Sequence, residues 1–313
     1  MISLNTERGL VTVASWEDVL SLPGFTDAVD HRTQKLVSVI GRYILSEPVH
    51  CGLKSCRTPH KKGFVAAIEG GAVTNIGKDC GKTHFGVGFE EMSRNFERDD
   101  RNRERRERLQ EFQSQVPGIR KRISALRSEQ GGDLIHKASR YFRSNCNVEV
   151  RDALSALVAR RDGQLTKRRR ETQQEADARE AMNDQRPDRD DDKDRVAKRL
   201  TIEEPAGFVR GLGVFYPEMN LRALLIEEIL APLQAIEEIS VPNLGDRELL
   251  NYLKVCASIE DKIEKAEQAI EEGKQFLVRA NLAKFSAVMA NPSDSKSFNR
   301  MLAEVEKMLG GNQ

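Results

Sequence analysis

The chain has 313 residues, with 50 Lys+Arg against 49 Asp+Glu, 39% hydrophobic residues, 5% aromatic and 32% charged. That balance is short of core-forming material for one globule of this length and suits extended helices. No apolar run approaches the roughly twenty residues of a membrane span. The start, MISLNTERGLVTV, lacks a basic flank leading into an apolar block, so no signal peptide is expected and a cytoplasmic, reducing compartment is.

The net charge of +1 hides an asymmetry: residues 1–200 hold 38 Lys+Arg against 31 Asp+Glu, and residues 201–313 hold 12 against 18. Such a split points the basic half toward nucleic acid or another acidic partner. The chain divides by composition into a small α+β domain over 1–88, a charged helical arm with a linker over 89–200, and a helical, coiled-coil-containing region over 201–313. The fold class expected is therefore mixed, a small α+β zinc-binding head followed by mainly α-helical chain.

In chain order, Leu10 to Val13 suits a short strand. Ser15 is placed to cap a helix from Trp16 to Leu22, with Asp18 at its third position and Pro23 ending it. Trp16, the only tryptophan, reads as core. Leu36 to Leu45 is β-branched and leads as a strand toward Cys51.

The stretch from His50 to Gly86 carries the concentrated chemistry. Cys51 and Cys56 open it, Cys80 and His84 close it, and Phe64–Ile68, Gly70-Gly71 and Ala72–Ile76 supply a hairpin between the pairs. A structural zinc takes four nitrogen or sulfur ligands in a tetrahedron. Cys51, Cys56, Cys80 and His84 are the expected Zn2+ ligands, with His60 the alternative and His50 a weaker one. Gly81 would let backbone N–H groups approach a thiolate. The competing readings are buried structural cysteines and a disulfide, although three local thiols leave one unpaired. These spacings resemble the knuckles of zinc ribbons and treble clefs, a resemblance confined to this stretch that implies a metal and no particular family.

Phe89, Met92 and Phe96 then stand at helical spacing against the head. Glu97 to Arg108 has no apolar residue, and its mixed charges support an exposed helix. Leu109, Phe112, Val116, Ile119, Ile123 and Leu126 follow as a heptad seam, with a kink expected at Pro117-Gly118. Gln130-Gly131-Gly132 breaks the chain, Asp133 is placed to cap the next helix, and Val148 to Val158 begins another. Cys146 has no ligand-like neighbour. Lys167, Arg168, Arg169 and Arg170 form the densest cationic tract, read as the exposed end of a helical arm in contact with nucleic acid.

Residues 183–200 read as a mobile linker, and the Asp190-Asp191-Asp192 triplet within it is a weak metal candidate. Phe208 to Tyr216 reads as a hairpin turn around Gly211 and Gly213, without the glycine spacing of a dinucleotide site. Leu221 to Ile239 is strongly apolar, with a kink at Pro232. Leu249 to Ala280 holds a heptad register for about five heptads. Its seam is expected to pack antiparallel on the Leu109–Leu126 seam, or on a second copy as a homo-oligomer. A closing helix spans 292–309.

An enzyme is not expected: the chain has no nucleophile setting, P-loop or framed carboxylate pair, and cysteines given to zinc are lost as nucleophiles. The expected function is a zinc-containing coiled-coil binding protein. Its nucleic-acid contacts are Lys54, Arg57, Lys61, Lys62, Lys78 and Lys82 around the metal, with Lys167, Arg168, Arg169 and Arg170 on the arm. The alternative is a protein-binding adaptor or assembly subunit with a purely structural zinc.

Overall fold

The computed structural model describes residues 2–6, 9–183, 199–291 and 294–310. The Asp190-Asp191-Asp192 triplet and most of the expected linker lie outside the described residues. The fold is mixed, a small antiparallel sheet near the N-terminus followed by mostly helical chain. It divides into two compact units, residues 1–113 with 240–254, and residues 114–239 with 255–313. This differs from the three consecutive segments that composition suggests.

The first unit is built on strands β1 (Ile2–Thr6), β2 (Gly9–Val13), β3 (Leu36–His50), β4 (Pro59–Ile68) and β5 (Val73–Gly77). They form one sheet in the order β2-β1-β3-β4-β5, every pair antiparallel. Side chains alternate across a strand, and β4 shows the consequence. Phe64, Ala66 and Ile68 enter one core with Ile76, Phe89 and Phe96, while Val65 enters the other with Ile2, Leu4, Val19 and Tyr43. Helix α1 (Trp16–Leu20) starts on the expected cap. Ser15 Oγ accepts from the Asp18 N–H, and Asp18 Oδ2 accepts from the Ser15 N–H, the reciprocal pair of a capping box. The expected hairpin forms between β4 and β5, with φ of +85° at Gly70 and +82° at Gly71.

Helix α2 (Lys78–Arg127) begins directly after β5. Its backbone leaves helical geometry at Gly86, not at Pro117, where the sequence predicts the kink. The run Glu97–Arg108 is helical but not wholly a solvated face. Asp100 is 1% exposed and takes Arg103 at 3.1 Å and Arg42 at 3.9 Å. Asn102 is also buried and donates to Asp246.

The second unit holds α3 (Gly132–Asn145), α4 (Val148–Arg160), β6 (Gln164–Arg170), α5 (Gln173–Asn183), β7 (Thr201–Phe208), α6 (Ala231–Glu238), α8 (Arg279–Leu282) and α9 (Asp294–Gly310). Gly131, at φ +82°, caps α3, and Asp133 is taken instead by Arg127 at 3.0 Å. Four rings, Phe142, Phe215, Phe276 and Phe285, meet at centroid distances of 4.8 to 6.4 Å. The G-x-G at Gly211 makes no hairpin. A Cβ at Gly211 would strike the Glu272 and Phe276 backbone, and the Gly213 N–H donates to Glu272 Oε2 at 2.9 Å.

Helix α7 (Asp246–Phe276) carries the long heptad pattern, with Leu249, Ile259, Ile263, Ala266 and Ile270 buried. In the second unit Arg122 of α2 bridges Glu260 and Glu267 of α7 at 2.6 and 2.8 Å, an opposite-charge pairing of flanking positions. Both α2 and α7 start in the first unit and end in the second.

Candidate metal centre

The β3–β4 connection supplies two of the cysteines. It closes on itself where the Cys51 N–H donates to Thr58 O at 3.0 Å, and Cys56 and Arg57 N–H groups both reach Leu53 O. The connection is tied down by the Gly52 N–H to Asn75 O of β5 and by the Lys54 N–H to Val29 O. A side chain at Gly52 would collide with the Thr74 hydroxyl, so this close approach needs glycine. Cys80 arrives from the first turn of α2.

The three sulfurs of Cys51, Cys56 and Cys80 lie within 4.8 Å of one another, and Cys56 Sγ is 3.1 Å from Cys80 Sγ. With a metal–sulfur bond of about 2.3 Å, the edges of a tetrahedral site are about 3.8 Å, so the three sulfurs could take three of its corners once the Cys56–Cys80 pair spreads slightly. All five cysteines are free thiols, and the disulfide alternative is not formed.

The sulfurs receive the contacts a thiolate uses. Cys51 takes backbone hydrogen bonds from Leu53 and Gly77, and Cys56 takes one from the Thr58 N–H and lies 3.2 Å from the Thr58 hydroxyl, which its thiol meets as donor and a thiolate would meet as acceptor. Arg57, between Cys56 and Thr58, has a φ of +50°. That left-handed state is uncommon for a non-glycine residue. Here it turns the chain so that the N–H two residues after Cys56 returns to its sulfur. Burial pushes the Cys51 thiol up, and pushes Cys80 up to about 12 with help from its bond to Cys56 and the charges of Cys51 and Cys56. Burial acts the same way on Cys56, but the Thr58 hydroxyl, the Cys80 thiol and the Thr58 N–H outweigh it and hold that thiol low. Three thiols in contact thus favour one thiolate readily. A divalent cation removes that limit by neutralising the others, which makes the set fit a metal ion.

The histidines are distributed differently. The His84 ring stands against His31 at a centroid distance of 4.2 Å, and His31 Nδ1 is 3.2 Å from Ser55 Oγ. Burial, then His31 and Arg32, lower the His84 pKa. His84 is not within the 4.8 Å group of sulfurs. His60 is engaged elsewhere, with Nε2 at 2.5 Å from the Tyr43 hydroxyl and Nδ1 at 3.1 Å from Thr58 O. His50 is exposed, and its carbonyl accepts from Asn75 Nδ2 at 2.8 Å. Gly81 serves packing: a Cβ there would run into the Phe89 ring.

Tyr43, Thr58, Asn75 and His31 are the neighbours of the cluster that sequence reasoning misses. Tyr43 is fully buried, and burial raises its pKa well above that of an ordinary phenol, opposed by Asn75 and reinforced by Cys51 and Cys80. Tyr43, Asn75 and His31 carry no sequence mark because strand pairing or a long loop brings them in, whereas Thr58 stands two residues from Cys56 and is reached through the turn at Arg57.

The basic residues fall into two groups. Around the cysteines, Lys54, Lys61, Lys62 and Lys78 are exposed and form no ion pair among the described residues, while Arg57 meets Asp27 at 3.4 Å and Lys82 meets Glu90 at 2.9 Å. The Lys167–Arg170 tract is not the end of a helix but strand β6, paired with β7. Lys167 and Arg169 bind Glu204 at 2.8 and 2.7 Å, Arg168 binds Glu203 at 2.9 Å, and Arg169 also takes Glu175 at 2.6 Å. The tract that looks unopposed in sequence finds its acids across a hairpin.

Among the described residues no helix is long and apolar enough to cross a membrane. Set against protein-family models, curated proteins and solved structures, the chain matches none.

Proposed function

We propose that the first unit is a zinc-stabilised head that binds nucleic acid through the cations around its metal. Cys51, Cys56 and Cys80 hold the ion as thiolates. His84, one helical turn beyond Cys80 and so on the same face of α2, is the fourth ligand. The ion fastens the β3–β4 connection to the start of α2 and leaves no open position for catalysis.

The observation that carries the binding role is the set of four exposed lysines around the cysteines, Lys54, Lys61, Lys62 and Lys78, which form no ion pair among the described residues. Unpaired cations are the ones available to displace counterions from phosphates. Arg57 and Lys82 extend the same rim. Lys167, Arg168 and Arg169 contribute less, because Glu203, Glu204 and Glu175 already offset them, while Arg170 forms no ion pair among the described residues.

The test is binding of the purified protein to mixed-sequence DNA and RNA across a salt series. Affinity should fall steeply with salt, and Lys61→Glu with Lys62→Glu should weaken it tenfold or more and flatten the slope. Absence of binding at low salt, or binding indifferent to salt, defeats this reading. The paired state of the β6 arginines favours the second reading, a protein-binding adaptor whose arginines serve folding. A purified chain free of nucleic acid, with a low 260/280 nm absorbance ratio and a stoichiometric protein partner, would support it.

A further inference from the structure

The second unit contains a cavity of about 430 Å³ between α3 and the segment from Val214 to Glu227. Helix α3 lines it with His136, Ser139, Arg140 and Arg143, at positions i, i+3, i+4 and i+7 of one helical face. Opposite stands Arg222, just inside a helix start whose cap is Asn220: Asn220 Oδ1 accepts from the N–H groups of Arg222 and Ala223 at 3.1 and 3.3 Å.

Two independent features of this cavity point to a ligand. Arg140, Arg143 and Arg222 form no ion pair among the described residues, and Glu227 is the only carboxylate on the lining. Ser139 is 4% exposed, and among the described residues its hydroxyl, sealed in the cavity wall, has no hydrogen-bond partner, an unfavourable state for a polar group in a folded protein unless something else satisfies it. The local field is positive. Burial, then Arg140 and Arg222, lower the His136 pKa, with Asp133 alone acting the other way.

We propose that this cavity binds a small organic phosphate, its phosphoryl group held by Arg140 and Arg222 and, once its side chain turns out of the wall, by the Ser139 hydroxyl. Arginine suits that group because its planar fork donates two parallel hydrogen bonds to phosphate oxygens. The helix start at Asn220 adds favourable dipole at the same place. The cavity lies in the size range of small-ligand sites and exceeds what phosphate alone fills, and Val214 and Leu221 give the organic portion an apolar wall. Arg143 stands at the rim as a further attraction for the anion. None of this depends on the cysteine cluster or on nucleic-acid contact by the first unit.

Isothermal titration of the full chain with AMP, adenosine and inorganic phosphate tests it. AMP should bind, adenosine should not, and inorganic phosphate should bind more weakly and compete. Arg140→Ala and Arg222→Ala should each weaken AMP at least tenfold. Ser139→Ala should weaken it a few-fold without lowering the thermal midpoint, since it removes an unpaired hydroxyl. Arg300→Ala, exposed on α9 and off the cavity, should leave binding unchanged. No AMP or phosphate binding by the folded wild type at millimolar concentration overturns the proposal. So does undiminished binding in either folded arginine variant, or equal binding of adenosine.

Discussion

The Cys56 sulfur sits 3.1 Å from the Cys80 sulfur, although one residue comes from a strand connection and the other from a helix start. If a zinc ion occupies this contact, the purified chain carries about one zinc. Cys80→Ser should lose it. Zinc contributes about 10–16 kcal/mol to folding in small zinc domains, and even a loss of about 3 kcal/mol lowers the midpoint by roughly 10 °C. Metal analysis with thermal unfolding measures both, and a metal-free wild type of unchanged stability in chelator refutes the centre.

The histidines should separate. His60→Ala keeps the metal, because both ring nitrogens are engaged by Tyr43 and Thr58, whereas His84→Ala loosens it. Tyr43→Phe leaves His60 Nε2 and the Asn75 amide short of a partner in a buried site. It should cost about 1–3 kcal/mol at unchanged zinc content, as read from urea unfolding and metal analysis. Loss of zinc on removing His60 would reassign the ligand set.

Glu203→Gln with Glu204→Gln releases Lys167 and Arg168 and leaves Arg169 held by Glu175 alone. Exposed pairs are worth about 0–1 kcal/mol each, so losing the pairs to Glu203 and Glu204 should lower stability by no more than about 3 kcal/mol. Affinity for nucleic acid should rise and become more salt-dependent. Unchanged binding would remove Lys167 to Arg170 from any phosphate contact.

Phe276→Ala opens the aromatic core of the second unit. The ring is fully buried, with Phe142, Phe215 and Phe285 around it, and deletion of such a ring costs about 3–5 kcal/mol. Denaturant midpoints at constant slope test this.

His136 sets a pH dependence. Its folded pKa lies below that of an ordinary imidazole, about 6.5, so the unfolded chain binds the proton more tightly. Stability should therefore fall as pH drops below about 6.5 and level off beneath the folded pKa. His136→Gln should reduce that slope, leaving the share that His84 contributes. An identical slope in the variant, by urea unfolding at several pH values, would exclude His136 as its source.

What the sequence makes legible is what is local. Ser15 and Asp18 are three residues apart, and their reciprocal cap forms as expected. Gly70-Gly71 forces the turn between β4 and β5, and the clustering of Cys51, Cys56 and Cys80 shows without any fold. What escapes is paired at long range. Leu165 to Arg170 carries almost no apolar signal, and becomes a strand because Glu203 and Glu204, some 35 residues on, supply its charge partners. The helical stripe of His136, Ser139, Arg140 and Arg143 is readable in sequence, but its meaning comes from Arg222, which the sequence places far away. Pro117 is tolerated inside α2 while the break falls at Gly86, where φ is +62°.

That break divides the helix unequally. Lys78 to Phe85, bearing both Cys80 and His84, is a short cap set apart from the long rod that follows, and a side chain at Gly86 would meet nothing within 4 Å. Stripping the ion would then fray two turns while leaving the rod intact. Far-ultraviolet dichroism would barely register the loss, and limited proteolysis near Val87, exposed beside the break, would report it first.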